Sequence, residues 1–127
     1  MGEGKPGPGE NHKLTADKLA KAVAKLALQK KAVDVMVLDL RPFGTVCDYF
    51  VICSGENERH VGAIADNVHE GLEAKGTHPW HLEGYARKKW ILIDYVDVVV
   101  HIFHEKTRQY YLLERLWGDA EREEFSD

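Results

Sequence analysis

Val33-Asp34-Val35-Met36-Val37-Leu38-Asp39-Leu40 is the stretch whose reading decides the fold. Its β-branched residues favour extended chain, and its apolar side chains fall on both alternating sets of positions. Such a strand is covered on both faces, so it sits inside a sheet with helices packed against it. The next apolar run, residues 46–54 (VCDYFVICS), has the same character. Within it Asp48 is the exception, on the side shared by Phe50 and Ile52. Arg41-Pro42-Phe43-Gly44 between the two runs is a turn.

Upstream, Thr15 stands at the N-cap position of a helix ending near Lys31. Leu19, Val23 and Leu26, widened by Ala20, Ala24 and Ala27, make its apolar stripe, and Lys30 and Lys31 suit its negative end. Downstream, Ser54-Gly55-Glu56-Asn57 punctuates the chain, and Ser54 reads as a cap or turn into a second helix over residues 58–75. Val61, Ile64, Ala65, Val68 and Leu72 form the inward stripe of that helix, with Gly76 as a natural residue just past its end. Residues 79–84 form a short extended piece. Residues 90–95 and 97–104 read as two strands joined by a tight hairpin around Val96. A last helix spans residues 105–117, with Tyr110, Leu113 and Leu116 at core spacing. The order α-β-β-α-β-β-β-α predicts an α/β (α+β) domain, a mixed five-stranded sheet flanked by helices.

A chain of 127 residues with 44% hydrophobic and 30% charged residues suits one globular domain with one core. The organisation reads as a flexible leader over residues 1–13, a domain over 14–118 and an acidic tail over 119–127. Residues 1–13 are rich in Gly and Pro and carry no apolar segment of the signal-peptide kind. Gly2 is not set for myristoylation, because Pro6 stands where Ser or Thr is wanted. No apolar run approaches the roughly 20 residues of a membrane span. Residues 118–127 hold five acids against one base and account for the whole net charge of −4. The balanced remainder predicts little direct nucleic-acid binding, which needs clustered Lys and Arg, and directs attention to a protein partner. Cys47 and Cys53, if both lie in one strand, have Cα atoms roughly 20 Å apart and cannot pair. They read as ordinary thiols in a reducing compartment, which predicts a cytoplasmic location.

Enzymatic signatures are weak. His101 and His104 are three apart on a strand and point to opposite faces, so they do not chelate one ion. His78 and His81 add neither CxxC nor HExxH spacing, so no metal is expected. His101 is read instead as buried and tied into the sheet. CSGEN around Ser54 lacks the GxSxG of a hydrolase elbow, and one glycine before a helix makes a poor phosphate cradle. Asp48, Asp94 and Asp97 leave open a rival reading, a metal-dependent nucleotidyltransferase-like enzyme. The leading expectation is a binding protein with neither catalytic residues nor cofactor.

Binding chemistry is better represented. His78-Pro79-Trp80-His81-Leu82-Glu83-Gly84-Tyr85 sets large side chains on a short, Pro-started element, which suits an edge strand and an interface anchor. The closing run from Tyr110 to Trp117 carries more apolar surface than one helix stripe needs, and a homodimer through this helix is a further possibility.

Several stretches taken in order resemble the RsfS/Iojap family of ribosomal silencing factors. They are Cys47-Asp48-Tyr49-Phe50-Val51-Ile52-Cys53-Ser54-Gly55, Leu82-Glu83-Gly84, Trp90-Ile91-Leu92-Ile93-Asp94-Tyr95, Asp97-Val98-Val99-Val100-His101-Ile102-Phe103 and Arg108-Gln109-Tyr110-Tyr111-Leu112-Leu113-Glu114-Arg115-Leu116-Trp117. The resemblance covers about residues 14–118. It implies a nucleotidyltransferase-like fold without that activity. It also implies a factor that binds the large ribosomal subunit through ribosomal protein fourteen and sterically blocks joining of the small subunit. By position it brings Leu82, Glu83 and Gly84 to the partner. Chemistry adds Trp80 and His81, with Asp94 and Asp97 as acidic contacts for a basic protein and Leu116 and Trp117 as outlying ones. The family commonly has Gly where this chain has Val96. Valine disfavours the positive φ of a primed turn, so a different turn or loop length is expected here.

Overall fold

The computed structural model describes residues 14–126, so the leader expected over residues 1–13 lies outside the described residues. The elements are α1 (Ala16–Gln29), β1 (Val33–Asp39), a short 3-10 turn (Arg41–Phe43), β2 (Tyr49–Gly55), α2 (Glu58–Glu73), β3 (His81–Glu83), β4 (Trp90–Asp94), β5 (Val98–His104), α3 (Glu105–Tyr111), α4 (Leu113–Leu116) and β6 (Glu121–Phe125).

The mixed sheet flanked by helices is as the sequence predicts, except that it has six strands, in the order β3-β4-β5-β2-β1-β6. Only β2 and β5 run parallel; the other four pairings are antiparallel. The sixth strand comes from the segment read as an acidic tail. Its residues Glu121-Arg122-Glu123-Glu124 are exposed, so no apolar alternation announces it. It is held by pairing Val35 to Asp39 with Phe125 to Glu121. Charged side chains on this outer edge discourage further strand addition.

The sheet divides two cores. Val35, Val37, Tyr49, Val51, Cys53, Ile91, Ile93, Val98, Val100 and Ile102 point to one side, where α1 and α2 cover them with Leu19, Val23, Ile64, Val68 and Leu72. The helices approach closely where Gly71 faces Leu26, and Asn67 Nδ2 donates to Leu26 O at 2.8 Å across the gap. The opposite core is smaller: Met36, Leu38, Leu40, Cys47, Ile52 and Phe103, with Phe50, Trp90, Val99, Leu113 and Trp117 packed against it. Because α3 and α4 are short, this second face is only partly roofed.

Several local expectations are corrected. Thr15 is the N-cap of α1, but its hydroxyl donates to Asp17 Oδ1 at 2.7 Å and caps no backbone amide. α2 is capped by Asn57, whose side chain accepts from His60 N at 2.8 Å, and not by Ser54, which is buried inside β2. The last helix is broken, because Leu112 takes φ +46° between α3 and α4. The break turns Tyr110 and Leu116 outward, 81% and 74% exposed, so neither is the core residue that unbroken helical spacing implies. Buried Arg108 fastens the corner: its Nη1 donates to Asp34 O at 2.8 Å and Ser54 Oγ at 3.0 Å, and its Nε to Glu114 at 3.3 Å. Asp34 itself has φ +49° at an irregularity in the β1–β2 register, and Arg108 takes up its carbonyl.

Candidate functional site

Side chains alternate across a strand, and the register therefore sorts the β3–β4–β5 corner. Leu82 packs with the α1/α2 core, which turns His81 and Glu83 to the other face. Cross-strand pairing sets His81 beside Asp94 and Glu83 beside Leu92. It then sets Asp94 beside Val99, Leu92 beside His101 and Trp90 beside Phe103. The end of this row at His81 and Asp94 reaches the open part of the second face, while His101 and Phe103 at its other end are buried.

His101 anchors the row. It is buried, and its Nδ1 accepts from Trp90 Nε1 at 3.1 Å, so the proton of the neutral ring resides on Nε2. That Nε2 has no partner among the described residues. Burial lowers its pKa from 6.5 to about 4, because the charged ring would have no water and no counter-ion. Phe50 meets the imidazole edge-on with centroids 4.5 Å apart, and Tyr111 from α3 lies 4.9 Å from the Trp90 ring. The buried histidine expected from sequence is therefore found, as an aromatic-ringed support for the face. His101 and His104 point to opposite faces, as their spacing requires.

The nine partner residues expected from sequence divide by position. Trp80 is 74% exposed, held by its amide donating to Asp94 O at 2.7 Å. His81 and Glu83 are exposed and bound to each other, Nε2 to Oε2 at 2.6 Å. Asp94 is half-buried and accepts from Val96 N at 2.7 Å. Asp97 is exposed beside it, and its backbone carbonyl accepts from Asp48 N at 2.7 Å. These five share one corner. Leu82 faces the other way, into the main core. Gly84 has φ +91°, and a Cβ there would collide with the Trp90 carbonyl; its contribution is the turn itself. Leu116 is exposed on α4, whereas Trp117 is half-buried against Phe43 and Phe50, with centroids 5.6 and 6.2 Å apart. Trp117 thus belongs to the roof of the second face, and Leu116 projects from that roof to solvent.

The hairpin is tight, as the sequence predicts, and its turn is a three-residue one in place of a primed two-residue turn: Asp97 N donates to Tyr95 O at 2.9 Å. Val96 nonetheless adopts the positive φ that valine disfavours, +74°. A β-branched residue in that region is strained, and the bond from Val96 N to the Asp94 carboxylate helps to hold it. Val96 is left 53% exposed, and Val46, in the loop before β2, is 96% exposed. With Cys47, Trp80, Asp94 and Val99 they line a hollow of about 400 Å³. Sequence reading missed Val46 and Val99, because an apolar residue in a strand-like run signals core whichever face it takes. The alternation of Trp90, Leu92 and Asp94, laid beside Val99, His101 and Phe103, could have revealed the row.

Cys47 and Cys53 are both free and buried, which pushes their thiols up, Cys53 to about 12. At Cys47 burial is the main cause, and the charges of Asp94, Asp48 and Asp97 add to the rise. Among the described residues no group of three or more His, Cys, Asp or Glu side chains is arranged to hold a metal ion. No described helix is long and apolar enough to cross a membrane.

The family model described as "Ribosomal silencing factor during starvation" matches residues 13–127. A Bacillus subtilis protein named ribosomal silencing factor RsfS is 40% identical over 104 residues, covering 79% of this chain and 88% of the relative. Its namesake from Halalkalibacterium halodurans is 45% identical over 91 residues, covering 72% and 78%. A crystal structure of a Chromobacterium violaceum protein superposes with a TM-score of 0.80 at 28% identity, covering 83% of this chain and 88% of that one.

Proposed function

The chain belongs to the ribosomal silencing factor family, and we propose that it acts on the large ribosomal subunit by occupying a surface that the small subunit needs. The partner in this reading is ribosomal protein fourteen. The mechanism is steric: a bound factor keeps the subunits apart, and no bond is made or broken. The protein acts in the cytoplasm as a translation repressor without catalytic residues.

One observation carries the reading. The β3–β4–β5 corner offers exposed Trp80 and Val96 beside His81, Glu83, Asp94 and Asp97, on a sheet face left open by the short closing helices. An aromatic anchor with apolar neighbours and a charged rim is what a protein interface uses for affinity and register. The rim is acidic, which suits a ribosomal protein rich in Lys and Arg. Phosphate is repelled by the same carboxylates, so ribosomal RNA is the poorer match for this corner.

Co-sedimentation with purified large subunits tests the reading, together with a subunit-joining assay. The wild-type chain is expected to co-migrate and to reduce joining. Glu83→Arg, a charge reversal on an exposed side chain, is expected to bind at least tenfold more weakly, about 1.4 kcal/mol. No co-migration by the wild type defeats the function; equal binding by both proteins defeats this assignment of the surface.

A further inference from the structure

We propose that the hollow between Val46 and Asp94 receives the side chain of one lysine from the protein partner, an inference that rests on the function proposed above. The hollow opens at the N-terminal ends of β2 and β5, on the face already described. Val46, Val96, Val99 and Trp80 give it apolar walls, and Asp94 is the one carboxylate among its lining residues. Asp94 Oδ1 accepts from the Val96 amide, and its second oxygen makes no hydrogen bond among the described residues. No ion pair among the described residues reaches Asp94, Asp48 or Asp97. A partly buried carboxylate without a cation, at the edge of apolar walls, is complementary to a long side chain with an apolar stem and a charged tip.

Each competing occupant fits less well. A purely aliphatic side chain would strip water from Asp94 and return nothing to it. A carboxylate or phosphate would meet the like charge of Asp94. Arginine presents a planar fork suited to one bidentate carboxylate, whereas the ammonium of lysine directs three donors outward from a compact charge. With Oδ1 of Asp94 taken by the Val96 amide, one carboxylate oxygen remains, which suits the compact charge rather than the fork. Val96 is the independent sign that this shape has a use. Its φ of +74° would suit glycine, yet the chain holds an apolar side chain there, 53% exposed, on the wall of the hollow. Strain that persists to present an exposed apolar group marks a contact surface more readily than a folding need.

The test uses the full chain and purified large subunits. A water-soluble carbodiimide joins a carboxylate to an amine in direct contact and leaves arginine unreacted, so mass spectrometry is expected to find Asp94 linked to one lysine of the subunit. Two variants accompany it. Asp94→Asn keeps an oxygen for the Val96 amide while removing the charge, and Val46→Lys places an ammonium of the chain's own in the hollow from a position 96% exposed. Each is expected to bind at least tenfold more weakly and to lose the cross-link. Glu123→Gln, the same charge change on exposed β6, is expected to bind as wild type does. Wild-type binding that neither hollow variant reduces overturns this inference and leaves the proposed function standing. So does a loss confined to Asp94→Asn, or binding without an Asp94–lysine link. Failure of the wild type to bind at all overturns the function first.

Discussion

Lowering the pH from 6.5 to 5 should cost this protein about 2 kcal/mol of stability through His101 alone. In the unfolded chain the ring takes up a proton near pH 6.5, while in the folded chain burial holds it neutral down to about 4. The folded pKa is depressed, so the unfolded state binds more protons across that window. Stability is therefore complete above pH 6.5, falls as the pH falls, and stops falling on this account below about 4. The whole interval corresponds to about 3 kcal/mol, of which the part above pH 5 is best isolated from carboxylate titration. The assay is urea unfolding at pH 7.5, 6.5, 5.7 and 5.0, followed by tryptophan fluorescence, with Trp90 as the reporter in contact with the ring. His101→Asn keeps an acceptor near Nδ1 for the Trp90 indole and removes the titration. It should be less stable at pH 7.5 from lost packing against Phe50, yet much flatter with pH. Parallel pH curves for wild type and His101→Asn would refute the reasoning, as would an NMR titration placing His101 near 6.5.

Arg108→Ala should lose about 3 kcal/mol in urea unfolding, because it leaves Ser54, the Asp34 carbonyl and the Glu114 carboxylate without their shared donor; a loss below about 1 kcal/mol would mean water replaces it. Val96→Gly should raise the unfolding free energy by up to about 1 kcal/mol by relieving the positive φ, while weakening binding to large subunits by trimming the wall of the hollow. A variant that is less stable than wild type would show that the turn carries no strain.

The open corner also explains why fold and site are so unequally legible. β1 and β2 announced themselves as doubly covered strands, and the stripes of α1 and α2 marked the helices that cover one side. Trp80, His81 and Glu83 were visible as large side chains on a Pro-started edge, and the structure places them on β3 and just before it. Val46 and Val99 were not, since their apolarity reads the same whether it meets a helix or a partner. His101 was legible as buried, but its bond to Trp90 joins two strands through eleven residues of chain and has no local signature.

What the sequence by itself determined is the set of elements whose apolar residues form an unbroken run or a regular stripe: β1, β2, β4, β5 and the two long helices. Tertiary structure alone decided three things: the strand order, the recruitment of Glu121–Phe125 as β6, and the break at Leu112 that leaves the second face open. The reason is physical. Periodicity records that a side chain turns away from solvent, which is a local property. β6 is held by backbone pairing to β1, which is indifferent to its charged side chains. The helix ends at Leu112, in a corner fastened by Arg108 to a strand turn more than seventy residues earlier. Neither cause is written in the residues that show its effect.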